Sequence, residues 1–494
     1  MNQNTPPLSD EAVKINKNLS LWEALIPIIV LIAILSYNVY LYESDATSGP
    51  NQFALIIGAA VAAIVGFRNK VTYESMIEEV STNIKSTAGA ILILLMVGAL
   101  SGTWLLSGII PTMIYYGLEI LHPSIFLPAC LIICSIISIA TGSSWTTSAT
   151  VGIALIGIGS TMGMPLGMVA GAVISGAYFG DKLSPLSDTT NLAPAMAGTD
   201  LFTHIRYMTL TTIPTMTITL ILFIILGLMQ DTTAITDDGS TLAAIKETFY
   251  VTPWLFVVPI IVIFLIVKKT EPLIALLAGI ILGGIFALFF QPDLVAKIGG
   301  GTHLNFVNGY KGVMNAITVD TSIATNNAIL NDLFTAKGMQ GMLGTVWLIL
   351  CAMVFGGIME AIGALARITD SLLKMFHTVF GLFASTVVSC LALNLTASDQ
   401  YLAIVVPGKM FAKAYKDKGL APENLSRTLE DSGTVTSVLI PWNTCGAYHS
   451  GVLGVSTFSY LPYAFFNIIS PFMTLLYAAF NIKIKQLTSN STTL

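Results

Sequence analysis

Ten long apolar stretches recur along this chain of 494 residues and limit what it can fold into. A helix that crosses the hydrocarbon core of a bilayer needs about 20 predominantly apolar residues. Only 10% of the residues are charged, whereas soluble domains carry about 25%. The sequence therefore predicts an all-α polytopic membrane protein, with spans at 21–42, 52–67, 89–117, 124–140, 207–229, 252–267, 273–290, 340–363, 379–395 and 458–482.

Shorter apolar pieces are bounded by polar breaks and lie at 148–163, 165–180, 400–412 and 434–440. A single helix needs about 17 residues or more to cross a bilayer, so these pieces are too short or too interrupted to do so. Irregular backbone at membrane depth survives only where protein or a water-filled cavity satisfies its hydrogen bonds. We therefore expect broken helices around a polar site.

The distribution of Lys and Arg orients the chain, because short cytoplasmic loops carry an excess of both. Lys14 and Lys17 precede the first span, and Lys483 and Lys485 follow the last, so both termini are expected in the cytoplasm. The predicted organisation is a cytoplasmic N-terminal tail (1–20), N-terminal transmembrane helices (21–67), a first repeat (68–230), a linker with connecting transmembrane helices (231–290), a polar external segment (291–339), a second repeat (340–485) and a C-terminal tail (486–494).

The two repeats are indicated by weak similarities at a nearly constant offset. "TGSSWTTS" at 141–148 corresponds to "TASDQYLA" at 396–403, an offset of 255 residues. "MPLGMVAGAVISGAYFG" at 164–180 corresponds to "APENLSRTLEDSGTVTS" at 421–437, an offset of 257. The charge rule makes corresponding spans run in opposite directions. We therefore expect two inverted-topology repeats, as in many transporters, with an extra transmembrane helix at the N-terminus.

The polar breaks are rich in hydroxyl, amide and carboxylate oxygens. Such hard ligands suit small alkali cations and not thiophilic metals, and the ends of broken helices direct their dipoles at a bound ion. The second break of each half supplies the predicted polar lining, namely Asp181, Ser184, Ser187, Asp188, Thr189, Asn443 and Thr444. The first break of each half is expected to add oxygens from Ser143, Ser144, Thr146 and Ser398.

Carboxylates inside apolar sequence indicate where protons take part, because an ionisable group at membrane depth is costly and is by default a functional hypothesis. Asp399 and Asp431 are the predicted Na⁺ ligands, each able to hold either the cation or a proton. Glu360, within "VFGGIMEAIGAL", either faces the same site or braces a neighbouring helix. For Asp181 and Lys182, an interfacial ion pair at a helix end is the alternative interpretation.

Two long motifs resemble the NhaC-type sodium/proton antiporter family, within the broader ion transporter group. They are "YFGDKLSPLSDTTNLAPAMAGTDLFTHIRYM" and "LEDSGTVTSVLIPWNTCGAYHSGVLGV", and the resemblance extends from about residue 20 to 482. It implies two inverted repeats with re-entrant hairpins and broken helices. It also implies exchange of Na⁺ for H⁺ by alternating access across a prokaryotic inner membrane. Some relatives in this group instead couple Na⁺ and H⁺ to organic anions, exchanging malate for lactate.

Several functions remain alternatives or are disfavoured. Exchange of Na⁺, with Li⁺ as a second cation, for H⁺ is the main hypothesis, and Na⁺/H⁺-coupled exchange of a small organic anion is the alternative. An ion channel is disfavoured, because channels usually combine pore loops from several subunits. The chain shows no HExxH or GxSxG motif of an enzyme, and no cofactor is expected. Its net charge of −5 disfavours nucleic acid as a partner, and a homodimer in the lipid bilayer is kept open.

Overall fold

A computed structural model describes residues 16, 19–42, 46, 48–230, 240–268, 270–326, 330–331, 334–375 and 378–487. Most of the two predicted tails, 1–20 and 486–494, lies outside the described residues. The helices of the first half are α1 (Leu21–Tyr42), α2 (Pro50–Arg68), α3 (Tyr73–Leu106), α4 (Ile109–Ile120), α5 (Pro123–Thr141), α6 (Ser144–Thr147, continued by the π-helix Ser148–Gly152), α7 (Ile153–Thr161), α8 (Leu166–Leu183), α9 (Asp188–Ala197) and α10 (Leu201–Leu228).

The helices that follow connect the two halves. They are α11 (Ser240–Thr248), α12 (Val257–Val267, preceded by the 3-10 turn Pro253–Phe256), α13 (Pro272–Phe290), α14 (Pro292–Ile298) and α15 (Phe306–Thr318). Two short antiparallel strands, β1 (Thr321–Ser322) and β2 (Thr335–Ala336), come next. The predicted polar segment 291–339 thus contains the short helices α14 and α15 and the two strands. Gly102 of α3 packs directly on the backbone of α15.

The second half begins with α16 (Gly338–Gly341). It continues with α17 (Leu343–Ala361), α18 (Ala364–Met375), α19 (Val379–Thr396), α20 (Gln400–Asp417), α21 (Pro422–Leu429, continued by the π-helix Glu430–Thr434 and the 3-10 turn Ser437–Leu439), α22 (Thr444–Leu453), α23 (Thr457–Tyr460, continued by the 3-10 turn Leu461–Tyr463) and α24 (Phe465–Ala479).

Eight of the described helices are long and apolar enough to cross a membrane, or ten if two sharply bent helix pairs each form one span. The bent pairs join Thr241–Thr248 to Pro253–Val267, at 82°, and Thr457–Tyr463 to Phe465–Ala479, at 53°. The prediction of an all-α polytopic membrane protein is confirmed.

The predicted single span 89–117 is wrong, because the chain breaks between α3 and α4. Gly108 adopts the left-handed conformation, with φ of 81°, which is costly for residues that carry a Cβ. Gln291 lies against this break, and its side-chain amide donates a hydrogen bond to the carbonyl of Ser107 at 3.4 Å. The amide thereby satisfies a backbone oxygen that the end of α3 leaves without a helical partner.

The same order of helices and turns recurs in the second half at a constant spacing. Gly142 and Ser398 both adopt the left-handed conformation, with φ of 70° and 59°, and they are 256 residues apart (398 − 142). Left-handed glycines recur at the same spacing at the pairs Gly163 and Gly419, and Gly198 and Gly454. Helices α5 and α19 begin 256 residues apart, as do α8 and α21, and α9 and α22. The opposite orientation of the two copies in the membrane remains a prediction.

Helix α8 packs backbone to backbone on α5, and this contact fixes its rotation. A Cβ on Gly176 would lie 2.3 Å from the carbonyl oxygen of Leu131, and one on Gly180 would lie 2.4 Å from that of Ser135. The spacing of these two glycines is the small-xxx-small pattern of close helix pairs in membranes. The Ser138 hydroxyl adds a hydrogen bond to the carbonyl of Ala177 at 2.6 Å. The end of α8 is therefore held rigidly in one orientation.

Candidate functional site

The first break of each half has the same local geometry. In the second half, Ser398 is left-handed and Asp399 then caps α20, where its Oδ1 accepts from the backbone N–H of Tyr401 at 2.8 Å and of Leu402 at 3.1 Å. In the first half, Gly142 is left-handed and Ser143 caps α6, where its Oγ accepts from the N–H of Thr146 at 3.1 Å. Each break thus places one capping oxygen group at the start of a new helix.

The second break of each half also ends at an N-cap. Ser187 caps α9 and Asn443 caps α22, with nearly equal backbone angles (φ of −71° and −70°). Asn443 also reaches the first break of its own half, because its side-chain amide donates to the carbonyl of Asn394 at 3.2 Å. The short helices α9 and α22 therefore start beside the interrupted ends of α5 and α19.

Direct contacts hold the four breaks together. The N–H of Thr444 donates to the carbonyl of Ser398 at 2.9 Å, and a Cβ on Gly142 would meet Leu186 at 2.5 Å. Between the halves, the Trp145 ring stacks on the Tyr448 ring with centroids 4.0 Å apart, and the Tyr448 hydroxyl donates to the carbonyl of Trp145 at 3.1 Å. The breaks form one compact unit.

A cavity of about 470 Å³ opens where the breaks meet. Four carboxylates line it, contributed by Asp181, Asp188, Glu271 and Asp399. Within the part of the chain that the structure describes, no Lys, Arg or His side chain is among its lining residues. Opposite charges near a site stabilise a bound ion, and like charges repel it. The cavity therefore favours a cation over an anion electrostatically.

Asp181 is positioned by the first half. Its Oδ2 accepts from the Ser144 hydroxyl at 2.7 Å and from the Ser144 N–H at 3.1 Å. On Asp399, Oδ1 is used for capping, and no described residue donates to Oδ2. The two carboxylates are buried, yet both lie on the cavity wall. An ion that enters the cavity can therefore reach one carboxylate from each half.

Most of the sequence-predicted residues are brought to this place. The cavity wall includes Ser143, Thr146, Asp181, Ser187, Asp188, Thr189, Asp399 and Thr444. Directly behind the wall are four further predicted residues, which hold the breaks through their backbone or side chains, namely Ser144, Ser184, Ser398 and Asn443.

The structure does not bring Asp431 or Glu360 to the cavity wall. Asp431 is fully buried in the π-helix that follows α21, where it forms an ion pair with Lys182 and accepts from the Thr211 hydroxyl at 2.9 Å. Glu360 is partly buried near the end of α17, within electrostatic range of Glu79 and Asp399. The alternative pairing of Lys182 with Asp181 is also absent from the described ion pairs, because Lys182 pairs with Asp431.

Several cavity residues were missed from the sequence. Ser86 and Thr87 come from α3, and Thr270 and Glu271 come from the loop between α12 and α13. A Ser–Thr pair that faces a cavity cannot be distinguished in the sequence from one whose hydroxyls bond to the backbone of their own helix. Thr87 does form such a bond, from its hydroxyl to the carbonyl of Ile84 at 3.0 Å. Glu271 had a usable signal, since it is an acidic residue at the end of a span, next to Pro272.

Comparison with known proteins identifies the family. The model of the Na⁺/H⁺ antiporter family matches residues 176–482, which include both second breaks and the first break of the second half. The chain belongs to the Na⁺/H⁺ antiporter family. The resemblance seen in the two long motifs is thereby confirmed, and this antiporter-family protein is a multi-pass membrane protein.

Three relatives of this antiporter-family protein are similar over nearly the whole chain. The Na⁺/H⁺ antiporter NhaC of Alkalihalophilus pseudofirmus is 36% identical, over 87% of this chain and 90% of the relative. The malate-2H⁺/Na⁺-lactate antiporter of Bacillus subtilis is 37% identical, over 93% and 94%. The arginine/ornithine antiporter ArcD of Halobacterium salinarum is 34% identical, over 95% and 94%. All three are named as antiporters, although they differ in their named substrates.

Proposed function

We propose that this protein exchanges Na⁺, with Li⁺ as a second cation, for H⁺ by alternating access in a prokaryotic plasma membrane. The observation that carries the proposal is the cavity at the breaks, which is lined by four carboxylates and by no basic side chain among its described residues. The family supports the same transport class. The protein acts as a carrier, and its reaction is the movement of ions without covalent chemistry.

Asp181 and Asp399 are the proposed exchange groups. Each can be neutralised by a proton or by a cation, but a buried carboxylate does not bind both well because the second positive charge is repelled. Hydroxyls of Ser143, Ser187 and Thr444 add the neutral oxygen ligands that alkali cations require. Competition between Na⁺ and H⁺ for the same oxygens is the mechanism of exchange.

The loop that carries Glu271 supports access to the cavity from the cytoplasm. The cavity wall includes Thr270 and Glu271, as well as Trp145, which stacks on fully buried Tyr448. The loop of Glu271 follows Lys268, and the charge rule predicts that this loop lies in the cytoplasm. We infer a cytoplasm-facing conformation, with both chain termini on the same side.

The test is flux by the purified protein in liposomes, with ²²Na⁺ uptake and an internal pH dye recorded together. An outward Na⁺ gradient should drive protons inward, and the apparent affinity for Na⁺ should weaken as pH falls, because protons then occupy the carboxylates. The expected weakening approaches tenfold per pH unit for each proton displaced, about 1.4 kcal/mol. Sodium flux without any proton movement would contradict the proposal.

Exchange of small organic anions is a second candidate. It is favoured by the cavity volume of about 470 Å³, which exceeds the need of a bare ion, and by the N-termini of α9 and α20 at the wall. One relative is named for malate and lactate, which are organic anions. Counterflow of labelled malate in the same liposomes distinguishes this function, since a cation-only exchanger should show none.

A further inference from the structure

A buried charge cluster lies beside the cation cavity and is not used by the mechanism above. Lys182 and Asp431 form an ion pair, and the side chains of both are fully buried. Glu430, next to Asp431 in sequence, is also fully buried, and within the described residues neither of its carboxyl oxygens has a hydrogen-bond partner. Such a carboxyl group needs an explanation, because buried polar groups are almost always paired.

The charged groups around Glu430 do not neutralise it. From α8, Lys182 and Asp181 act on it electrostatically, but the Lys182 ammonium is already paired with Asp431 and Asp181 carries the same charge sign. On its own helix, Arg427 lies with its guanidinium 4.6 Å from the ring centroid of Tyr207 and forms no ion pair within the described residues. Apart from the neutral Thr434 hydroxyl, an ionised Glu430 would therefore be a buried charge without a charged partner of its own.

Protonation resolves this cost. Burial of an unpaired carboxylate costs several kcal/mol, whereas a neutral carboxylic acid loses only an unmade hydrogen bond of about 1–3 kcal/mol. In this conformation Glu430 therefore carries a proton. Its proton is released when water reaches the cluster in the other conformation, because the carboxylate left behind is then hydrated.

The cluster is coupled to the cation cavity through α8. Asp181 lies on the cavity wall, and the next residue, Lys182, points into the buried cluster, as expected for neighbours about 100° apart around a helix. Asp181 and Lys182 lie on the same rigid helix end. A movement of Asp181 on cation binding therefore also moves Lys182 relative to Asp431 and Glu430.

The geometry points to Glu430, beside the Lys182–Asp431 pair, as a second protonation site of the transport cycle, separate from the cation cavity. This inference rests on the proposed Na⁺/H⁺ exchange. Protons on Asp181 and Asp399 compete with Na⁺ at the cavity, and a further proton travels on Glu430 without competing for the Na⁺ ligands. The protein would then move more protons per Na⁺ than the cavity alone supplies.

The decisive variant is Glu430→Gln, because Gln has the shape of Glu but cannot release a proton. In liposomes we expect its ²²Na⁺/Na⁺ exchange to stay within about twofold of wild type, because Glu430 does not line the cation cavity and Gln reproduces its neutral form. The number of protons moved per Na⁺, measured from the gradients at which net flux is zero, should fall by one. The pH dependence of the apparent Na⁺ affinity should be unchanged.

The matched control is Glu423→Gln. Glu423 begins the same helix but pairs with the half-exposed Lys485, so loss of its charge should leave the proton ratio unchanged. A Glu430→Gln protein with the wild-type ratio overturns the inference and leaves the exchange function standing. A wild-type protein that moves no protons against Na⁺ removes the exchange function itself, so the two failures are distinguishable.

A second measurement covers a Glu430→Gln protein that does not fold. The infrared band of protonated carboxyl groups is compared between wild type and Glu430→Asp, which keeps a titratable group. If Glu430 carries the proton, the band shifts, because an aspartic and a glutamic acid absorb at different frequencies. An unchanged band shows that the proton is elsewhere and overturns the inference.

Discussion

The first breaks of the two halves share their backbone and differ in their chemistry. Both consist of a left-handed residue followed by an N-cap, but the first half uses Gly142 and Ser143 where the second uses Ser398 and Asp399. At the second break the difference is reversed, since Asp181 of the first half corresponds, 256 residues on (437 − 181), to Ser437. Asp181 and Asp399 thus come from positions that are not equivalent, and Asp188 of the first half and Glu271 of the linker complete the four carboxylates of the cavity.

This difference shows how duplicated geometry can serve a single site. A repeated turn presents oxygens at the same place twice, and the residue type then decides where negative charge is concentrated. Two carboxylates at equivalent positions would place negative charge at only one kind of break, whereas Asp399 and Asp181 place it at both kinds. The buried cluster follows the same principle, because Glu430 and Asp431 correspond to Ile174 and Ser175 in the first half.

The largest effect is expected for Asp399→Asn, which removes charge but keeps the cap. Asn is as good an N-cap as Asp, so the bonds from the N–H groups of Tyr401 and Leu402 can persist. Apparent Na⁺ affinity should weaken by at least about 100-fold, about 2.8 kcal/mol, in the liposome assay. The control is Asp370→Asn, since Asp370 pairs with Lys374 at the surface. Equal Na⁺ affinity in both variants would show that Asp399 only caps its helix.

A smaller effect should follow when the carboxylate is moved between halves. Adding Ser143→Asp to Asp399→Asn places the negative charge at the equivalent N-cap of the first half, still on the cavity wall. We expect this double variant to bind Na⁺ about tenfold more tightly than Asp399→Asn alone, a gain of about 1.4 kcal/mol. Recovery is incomplete because the restored charge lies at a different distance from Asp181. The matched control adds Ser437→Asp, off the cavity wall, to the same background. No recovery with Ser143→Asp alone would break the functional equivalence of the two breaks.

The smallest effects on transport are expected at the left-handed positions, where substitutions act on stability instead. For Gly142→Ala we expect the free energy of unfolding to fall by about 2–4 kcal/mol, because alanine is strained in the left-handed backbone and its Cβ clashes with Leu186. Ser398→Gly relieves backbone strain but adds unfolded-state entropy, so it should change stability by less than about 1 kcal/mol. Thermal unfolding of the detergent-solubilised proteins measures both. Similar melting temperatures for the two variants would contradict the expected strain at Gly142 and show that this turn does not require glycine.

The sequence predicted the broken helices because their signals are local. An apolar run that is too short to cross a bilayer, a hydroxyl-rich break and a capping residue lie next to one another in the sequence, as "TGSSWTTS" and the apolar piece 148–163 that follows it show. The approximate offset between the halves was visible for the same reason. The division of the span 89–117 could not be predicted from the sequence. Gly108 resembles the glycines that lie inside apolar helices until its left-handed φ is known.

What the sequence by itself determined is a membrane-embedded helical protein whose polar breaks carry acidic oxygens, because hydrophobicity and capping act over a few residues. Only the tertiary structure decided which acids share the cavity. Asp181 reaches the wall and Asp431 is paired with Lys182, and this assignment depends on the rotation of α8. The glycines of α8 fix that rotation through contacts with α5, 45 residues earlier in the chain (176 − 131). A turn of roughly 100° around the helix axis separates a cavity ligand from a buried counter-ion, and no local pattern encodes it.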